Sequence, residues 1–175
     1  VYKNGKLVCE NGKALFECET VDNSKVTNTV HLPKISADFF KTDVKDKFDA
    51  IELIPESIIT KKVTVSYSDS LSKVCVIERH HNLGTKGIGF VTNYGITNGA
   101  IATSIGHDSH NVIVIGDNDS DMALAVNTLG TSGGIAVCSE GKVIASMTLD
   151  IAGLMSVKSA DEVTREHDNL YSAAK

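Results

Sequence analysis

Five consecutive residues whose types are suited to chemistry are His107-Asp108-Ser109-His110-Asn111. We call them the HDSHN loop; it lies between two apolar runs. Flanking β-type runs and turn-forming residues place it outside a strand, where both imidazoles can converge. An imidazole beside a carboxylate can ligate a metal, transfer a proton or hold a substrate. The alternative is a polar turn whose side chains satisfy its own backbone. Because no third fixed ligand accompanies His107 and His110, the indication of a metal site is weak.

A second polar stretch is Glu78-Arg79-His80-His81-Asn82, the ERHHN stretch, at the end of the β-rich run SKVCVI. If the strand continued through it, Glu78 and His80 would share one face of the sheet, and Arg79 and His81 the other. Five polar residues at the end of an apolar strand suit a site at the edge of a sheet. They equally suit a solvated strand end.

Acidic residues cluster further along, at Asp117, Asp119 and Asp121. Their spacing matches the opening of a calcium loop, which also needs Gly at its sixth position and a bidentate Glu at its twelfth. Met122 and Thr128 stand there instead, so a calcium loop is excluded.

The same run, VIVIGDNDSDM, looks like the acidic loop of haloacid-dehalogenase-type phosphatases, which also need a nucleophilic aspartate after an early buried strand. The early acidic residues Asp43, Asp46 and Asp49 lie in a lysine-rich, non-apolar context instead. We therefore favour a strand-to-helix turn, with Asn118 or Asp119 capping the helix.

The bulk composition limits the classes of function. The 175 residues are 42% hydrophobic and 22% charged, which is typical of a globular chain. A net charge of −5 gives no footprint for nucleic acid, and no basic or long apolar run indicates a membrane partner. None of the four cysteines forms a C-x-x-C pair, so we expect no cysteine zinc site and a reducing, cytoplasmic compartment.

Local patterns predict an α+β fold with a mostly antiparallel sheet and a few helices. The strands YKNGKLV and KALFECE should form a hairpin at Asn11-Gly12, and a second hairpin should turn at Glu140-Gly141. ADFFKTD and FDAIELI are candidate short strands in a polar crossing segment. Helical spacing predicts a helix over 119–129, and Ser159 with Glu162 predicts a capping box on a last helix.

The motifs in combination resemble one family. VIERHHNLG, KGIGFVTNYGITNGAIATSIGHDSHNVIVIGDNDSDMALAVN and GGIAVCSEGKVIASMTLDIAGLMS, from about Val74 to Ser156, are similar to the C-terminal part of bacterial adenine deaminases, in the amidohydrolase superfamily. VYKNGKLVCENGKAL also looks like the segment that returns from their barrel to a small β-domain, as if the chain were cut from something longer. Asp150, where members usually carry Pro, and Asp117-Asn118, where they usually carry Thr-Asn, depart from the family pattern.

The resemblance implies three parts: strands of the small β-domain in residues 1–20, a crossing segment in 21–60 and the C-terminal α+β domain in 61–175. It also implies hydrolysis of adenine to hypoxanthine and ammonia by metal-activated water. The divalent metal pair, manganese or iron, would lie on a TIM-like barrel that is absent from this chain. No cofactor is then expected in this chain, and its partners are the barrel domain, adenine and further copies in a homo-oligomer.

The resemblance further implies that His107, Asp108, Ser109, His110 and Asn111 shape the purine pocket or face a domain interface. Glu78, Arg79 and His80 would lie beside them, and no catalytic residue is certain. A non-catalytic dimerisation or interaction module is the alternative function, and the phosphatase is a weaker one. A sticky apolar surface would indicate such a module.

Overall fold

The computed structural model describes residues 1–17, 19, 21–43, 46–68 and 71–175, so Cys18, at the end of the predicted second strand, lies outside the described residues. The strands of the described residues are β1 (Tyr2–Lys3), β2 (Lys6–Leu7), β3 (Cys9–Glu10), β4 (Lys13–Ala14), β5 (Phe48–Leu53), β6 (Thr60–Val65), β7 (Ser72–Ile77), β8 (Lys86–Thr92), β9 (Gly99–Thr103), β10 (Val112–Gly116), β11 (Gly134–Ser139) and β12 (Lys142–Thr148). The helices are the 3₁₀ helix η1 (Ala37–Phe40), α1 (Asp119–Thr128) and α2 (Ala160–Ala173).

Two very short hairpins, β1–β2 and β3–β4, form the N-terminal part. The predicted turn at Asn11-Gly12 is confirmed, with φ of 50° and 77°. The prediction that YKNGKLV is a single strand is wrong, because it turns back at Asn4-Gly5, with φ of 50° and 76°. Both pairs obey the same rule, since Asn and Gly tolerate the positive φ that tight hairpin turns require.

One sheet of eight strands organises the rest, in the order β12-β11-β9-β10-β7-β8-β5-β6. The described pairs are antiparallel except for β5 and β8, which run parallel. The predicted α+β class is confirmed, and the described residues contain no barrel.

The crossing segment contributes one element that was predicted and one that was not. FDAIEL forms β5, as expected, but ADFF forms η1, so the prediction of a strand there is wrong. In a strand, Phe39 and Phe40 would point to opposite faces. The 3₁₀ turn instead sends both rings into one core, with their centroids 5.4 Å apart and Phe40 fully buried.

The main core lies between α1 and one face of the sheet. Alternate strand residues point into it, among them Cys75, Ile77, Ala102, Val112 and Val114. Asn118 caps α1, its side-chain oxygen accepting from the backbone N–H of Asp121, as one of the two predicted caps.

The opposite face is covered in part by α2, which packs on β11 and β12. Its predicted capping box is confirmed, with Ser159 and Glu162 bonding each other's backbone N–H. The predicted hairpin at Glu140-Gly141 joins β11 to β12. Among the described residues, no helix is both long and apolar enough to cross a membrane.

Candidate functional site

The three stretches that carry the family resemblance leave the sheet at the same end. Ile77, at the end of β7, pairs with Val112, at the start of β10, so the ERHHN stretch and the HDSHN loop emerge side by side. Thr148, at the end of β12, pairs with Gly134, and the backbone N–H of Ser104 bonds to the carbonyl of that glycine. The turn at 151–155, IAGLM, therefore joins the same end.

Arg79 lies at the centre of these loops, with only 3% of its surface exposed. Its Nε–H donates to the carbonyl oxygen of His110, and its Nη2 donates to that of Ala152 at 3.0 Å. Its own carbonyl accepts from the N–H of His31 at 2.8 Å. Burial lowers the pKa of the guanidinium, but arginine stays charged at any physiological pH. Arg79 thus ties the HDSHN loop to the 151–155 turn with charge-assisted hydrogen bonds.

Glu78 organises the turn on the other side of Arg79. Its carboxylate accepts the backbone N–H groups of His80 at 2.5 Å, His81 at 2.8 Å and Leu83 at 3.1 Å. Burial raises the pKa of Glu78, but these hydrogen bonds and the nearby His81 outweigh it and lower the pKa to about 2. Because β7 ends at Ile77, the strand does not continue through the ERHHN stretch, and the condition for shared strand faces is not met. The carboxylate folds the chain into a turn instead.

The HDSHN loop is held tightly at its base. The N–H of His110 bonds to the carbonyl of Gly106 at 2.6 Å, and His80 Nε2 lies 3.1 Å from the carbonyl oxygen of Ser109. Asp108 and His110 adopt positive φ, at 67° and 50°, which side chains other than glycine's rarely do. Such backbone persists only where surrounding contacts hold it.

The tip of the loop faces solvent. The side chains of His107 and Asp108 are 93% and 91% exposed, and His107 Nδ1 lies 2.9 Å from the Asp108 carboxylate. By contrast, His110 Nδ1 and Asn111 Oδ1 are buried without a hydrogen-bond partner among the described residues. A buried polar atom without a partner is costly, so these two atoms suit a contact with another molecule or domain.

Metal binding does not fit this arrangement. Among the described residues, no group of three or more His, Cys, Asp or Glu side chains is placed to hold a metal ion. Within the loop, the side chain of His107 is exposed at the tip and His110 is half-buried.

The acidic cluster lies at the opposite end of the sheet and is engaged in structure. Asp117 accepts the N–H groups of Asn98 and, at 2.9 Å, Gly99, where β9 begins. Asp121 is 2% exposed and accepts the N–H of Gly141 at 2.8 Å, which holds the β11–β12 turn. Asp119 pairs with Lys73 at 2.5 Å. The interpretation of the cluster as a strand-to-helix turn is therefore confirmed.

Ser104 and Gly153 also support the site, and they were not predicted from the sequence. The hydroxyl of Ser104 is buried, donates to the carbonyl of Gly153 at 2.5 Å and accepts from the N–H of Gly134 at 2.8 Å. Gly153 has φ of +68°, and a methyl group there would lie 2.6 Å from Nη1 of Arg79. The only local signal was a glycine in the IAGLM stretch, which does not reveal what packs against it.

The fold, together with the end of the sheet at which these loops meet, defines an α+β domain that presents a polar loop held in place by the hydrogen bonds of Arg79. Comparison with known proteins shows its family: the model of the "Adenine deaminase C-terminal domain" matches residues 52–175. The chain belongs to the adenine deaminase C-terminal domain family.

Several curated relatives carry the name adenine deaminase. Adenine deaminase 2 of Carboxydothermus hydrogenoformans is 39% identical over 98% of this chain and 32% of its own length. The adenine deaminase of Clostridium acetobutylicum is 41% identical over 93% of this chain and 31% of its own length. The adenine deaminase of Lysinibacillus sphaericus is 34% identical over 99% of this chain and 32% of its own length. The chain thus spans about a third of the length of these relatives.

Proposed function

We propose that this chain is the non-catalytic C-terminal part of an adenine deaminase, and that the HDSHN loop shapes its purine pocket or meets its catalytic domain. The observation that carries the proposal is the meeting of three family stretches around buried Arg79, with His107 and Asp108 exposed beside them. In the whole enzyme, adenine would be hydrolysed to hypoxanthine and ammonia by water activated on a barrel-bound metal, manganese or iron. The enzyme would be cytoplasmic and homo-oligomeric.

The loop has the chemistry for such a contact. An imidazole beside a carboxylate presents both a donor and an acceptor, which is what hydrogen bonding to a purine edge or a polar domain surface needs. The partnerless atoms of His110 and Asn111 lie in the same loop. Because no metal ligand set exists among the described residues, the role proposed for this loop is to bind and position.

The N-terminal hairpins support contact with another body. Tyr2, Leu15 and Phe16 are 71%, 54% and 57% exposed. Two-stranded hairpins are marginally stable alone and usually need a further sheet or helix to cover their apolar side chains. We infer that residues 1–17 join strands of a small β-domain of the longer polypeptide.

Single substitutions in the full-length deaminase test the role of the loop. We expect His107→Ala to lower kcat/KM for adenine at least tenfold, with folding intact because the side chain is exposed. His167→Ala is the matched control, since His167 also has an aspartate beside it, with Nδ1 3.8 Å from Asp168, but lies on α2. Wild-type activity and assembly in the His107 variant would contradict the proposal.

The structure also bears on the alternatives. Asp117, Asp119 and Asp121 are committed to backbone and lysine contacts, so no observation favours a phosphatase. The interaction module is favoured by an uncovered apolar face of the sheet, on the same side as α2.

A further inference from the structure

Among the described residues, α2 packs on β11 and β12 and does not extend over the remaining strands on its side of the sheet. Beyond α2, strands β5 and β7–β10 form an apolar trough with a volume of about 340 Å³. We call it the open trough; its main lining residues are Ile51, Val74, Val91, Ile101, Ile113 and Ile115. Ile51 is 43% exposed, although Val91 and Ile115 at the floor of the trough are only 5% and 7% exposed. The other faces of β7, β9 and β10 are buried against α1. A contiguous apolar surface of this kind marks an interaction site more often than a free surface.

The open trough carries no charge across its central strands. Strands β7 to β10 contain two charged residues, Lys73 and Lys86. Both point to the α1 side, where Lys73 donates to the carbonyl of Phe40 at 3.0 Å and Lys86 to that of Phe39. On β5 and β6, Asp49 and Lys62 lie on the same face as Ile51 but pair with each other at 2.6 Å. Two copies of a chain with net charge −5 can therefore meet at the central strands without burying unpaired like charges.

Two glycines leave room for another layer. Gly87 and Gly89 alternate with Ile88 along β8, so they share the sheet face of Val91 in the open trough. A methyl group at Gly87 would meet nothing within 4 Å, and one at Gly89 would only touch Val74, at 3.8 Å. Glycine inside a strand is typical of sites where another backbone approaches closely.

A convex apolar element of matching chemistry exists on the same chain. The connection between β5 and β6 ends in Ile58 and Ile59, which are 102% and 67% exposed. Hydrogen bonds order this Ile58–Ile59 tip, from the N–H of Ser57 to the carbonyl of Ile54 at 3.2 Å and from the N–H of Ile59 to Ser57 Oγ at 3.0 Å. Leu53 and Thr60, at the base of this tip, line the trough of the same copy. Filling that trough with its own tip would therefore require the hairpin to fold back on itself.

We propose that two copies of this chain associate by two-fold exchange, the Ile58–Ile59 tip of each copy filling the open trough of the other. A two-fold interface pairs the same two surfaces twice, which the tip and trough satisfy. This proposal rests on the homo-oligomer of the proposed function and names the two surfaces through which its copies would associate.

The path of the chain favours a second copy over the N-terminal part of the same polypeptide. Leu32 and Ile35 pack into the core on the α1 side, and the carbonyl of Val26 accepts the N–H of Ala152 at 2.6 Å. Residues 26–35 are thus held on the face opposite the open trough and at the end of the HDSHN loop.

The size of the trough predicts a weak dimer. Five strands about 4.8 Å apart and about five residues long have a footprint of roughly 400 Å² in each copy, about 800 Å² in the dimer. This footprint is an upper bound on the area that the trough can bury, because Val91 and Ile115 are already only 5% and 7% exposed. Interfaces of that size are at the low end of specific contacts. We therefore expect a dissociation constant in the micromolar range.

Sedimentation of the 175-residue chain, from low micromolar to submillimolar concentration, tests the proposal. We expect reversible dimers, weakened at least tenfold by Ile58→Asp in the tip and by Ile51→Glu in the trough. Ile144→Glu is the matched control, because Ile144 is 51% exposed on β12 at the other edge of the sheet. A chain that stays monomeric throughout, or three variants that behave alike, would overturn the proposal.

A photo-crosslinker at position 58, in a mixture of isotopically light and heavy chains, identifies the occupant. Mixed-isotope cross-links to Ile101 or Ile113 are expected; cross-links within one copy would overturn the proposal. So would a monomeric chain whose Ile51→Glu variant no longer binds the rest of the deaminase, since the trough would then belong to that partner. Neither measurement depends on deaminase activity, so a failure here is distinguishable from a failure of the proposed function.

Discussion

At the scale of single residues, two buried or half-buried charges build the candidate site without forming a salt bridge to each other. Arg79 is bonded to the carbonyls of His110 and Ala152, and Glu78 is bonded to the amides of its own turn. Each charge fixes backbone, whereas His107 and Asp108 contact each other and are exposed at the surface. Arg79 and Glu78 hold the backbone of the site in place, and His107 and Asp108 at the tip of the loop present the hydrogen-bonding groups.

Glu78 predicts a specific pH dependence of stability. Its pKa in the folded chain is about 2, against an ordinary value of 4.5, so its contribution is fully present above about pH 4.5 and is lost as the pH falls towards 2. We expect the difference in urea midpoint between the wild-type chain and Glu78→Gln to be largest at neutral pH and to shrink through that window. A difference that stays constant from pH 7 to pH 2 would contradict this account.

At the scale of elements, local patterns predicted what depends on neighbouring residues. The Asn11-Gly12 and Glu140-Gly141 turns and the Ser159 capping box each rest on a few adjacent side chains, and all three are present. The Asn11-Gly12 turn needs only the intrinsic tolerance of its residues for positive φ, whereas the Glu140-Gly141 turn is also held by Asp121.

Contacts between distant residues could not be predicted in this way. Arg79 meets Ala152 across 73 positions, and Asn127 bonds to both backbone groups of Ile35 across 92. The residues next to ADFF do not indicate that Phe39 and Phe40 pack in the same core.

The turn at 151–155 yields a prediction about how it supports Arg79. Gly153→Ala places a methyl group 2.6 Å from Arg79 Nη1 at a φ of +68°, whereas Gly141→Ala, at a φ of +75°, meets nothing within 4 Å. Both variants incur the left-handed backbone cost of about 1–2 kcal/mol. Gly153→Ala should lose a further 1–3 kcal/mol, roughly, from overpacking.

Urea denaturation of the two glycine variants measures that difference, and amide exchange locates it. Exchange at residues 106–111 should accelerate in Gly153→Ala while residues 117–121, at the other end of the sheet, keep their protection. Equal stabilities of the two variants would show that the turn does not brace Arg79.

At the scale of the whole molecule, the domain has two unlike surfaces. One end of the sheet presents the braced HDSHN loop, and the α2 side presents the uncharged open trough. The chain covers about a third of the length of its adenine deaminase relatives. A domain with two such surfaces suits a part that meets a catalytic domain at one and a second copy at the other.

The most direct test of this account is adenine deamination by the 175-residue chain alone, by the separately produced remainder of the deaminase, and by their mixture, with manganese or iron supplied. The account predicts no activity from the chain alone, little from the remainder, and restored activity when the two associate. Deamination by the chain alone would contradict it, as would a remainder that is fully active without this domain, or an inactive mixture whose two parts elute together.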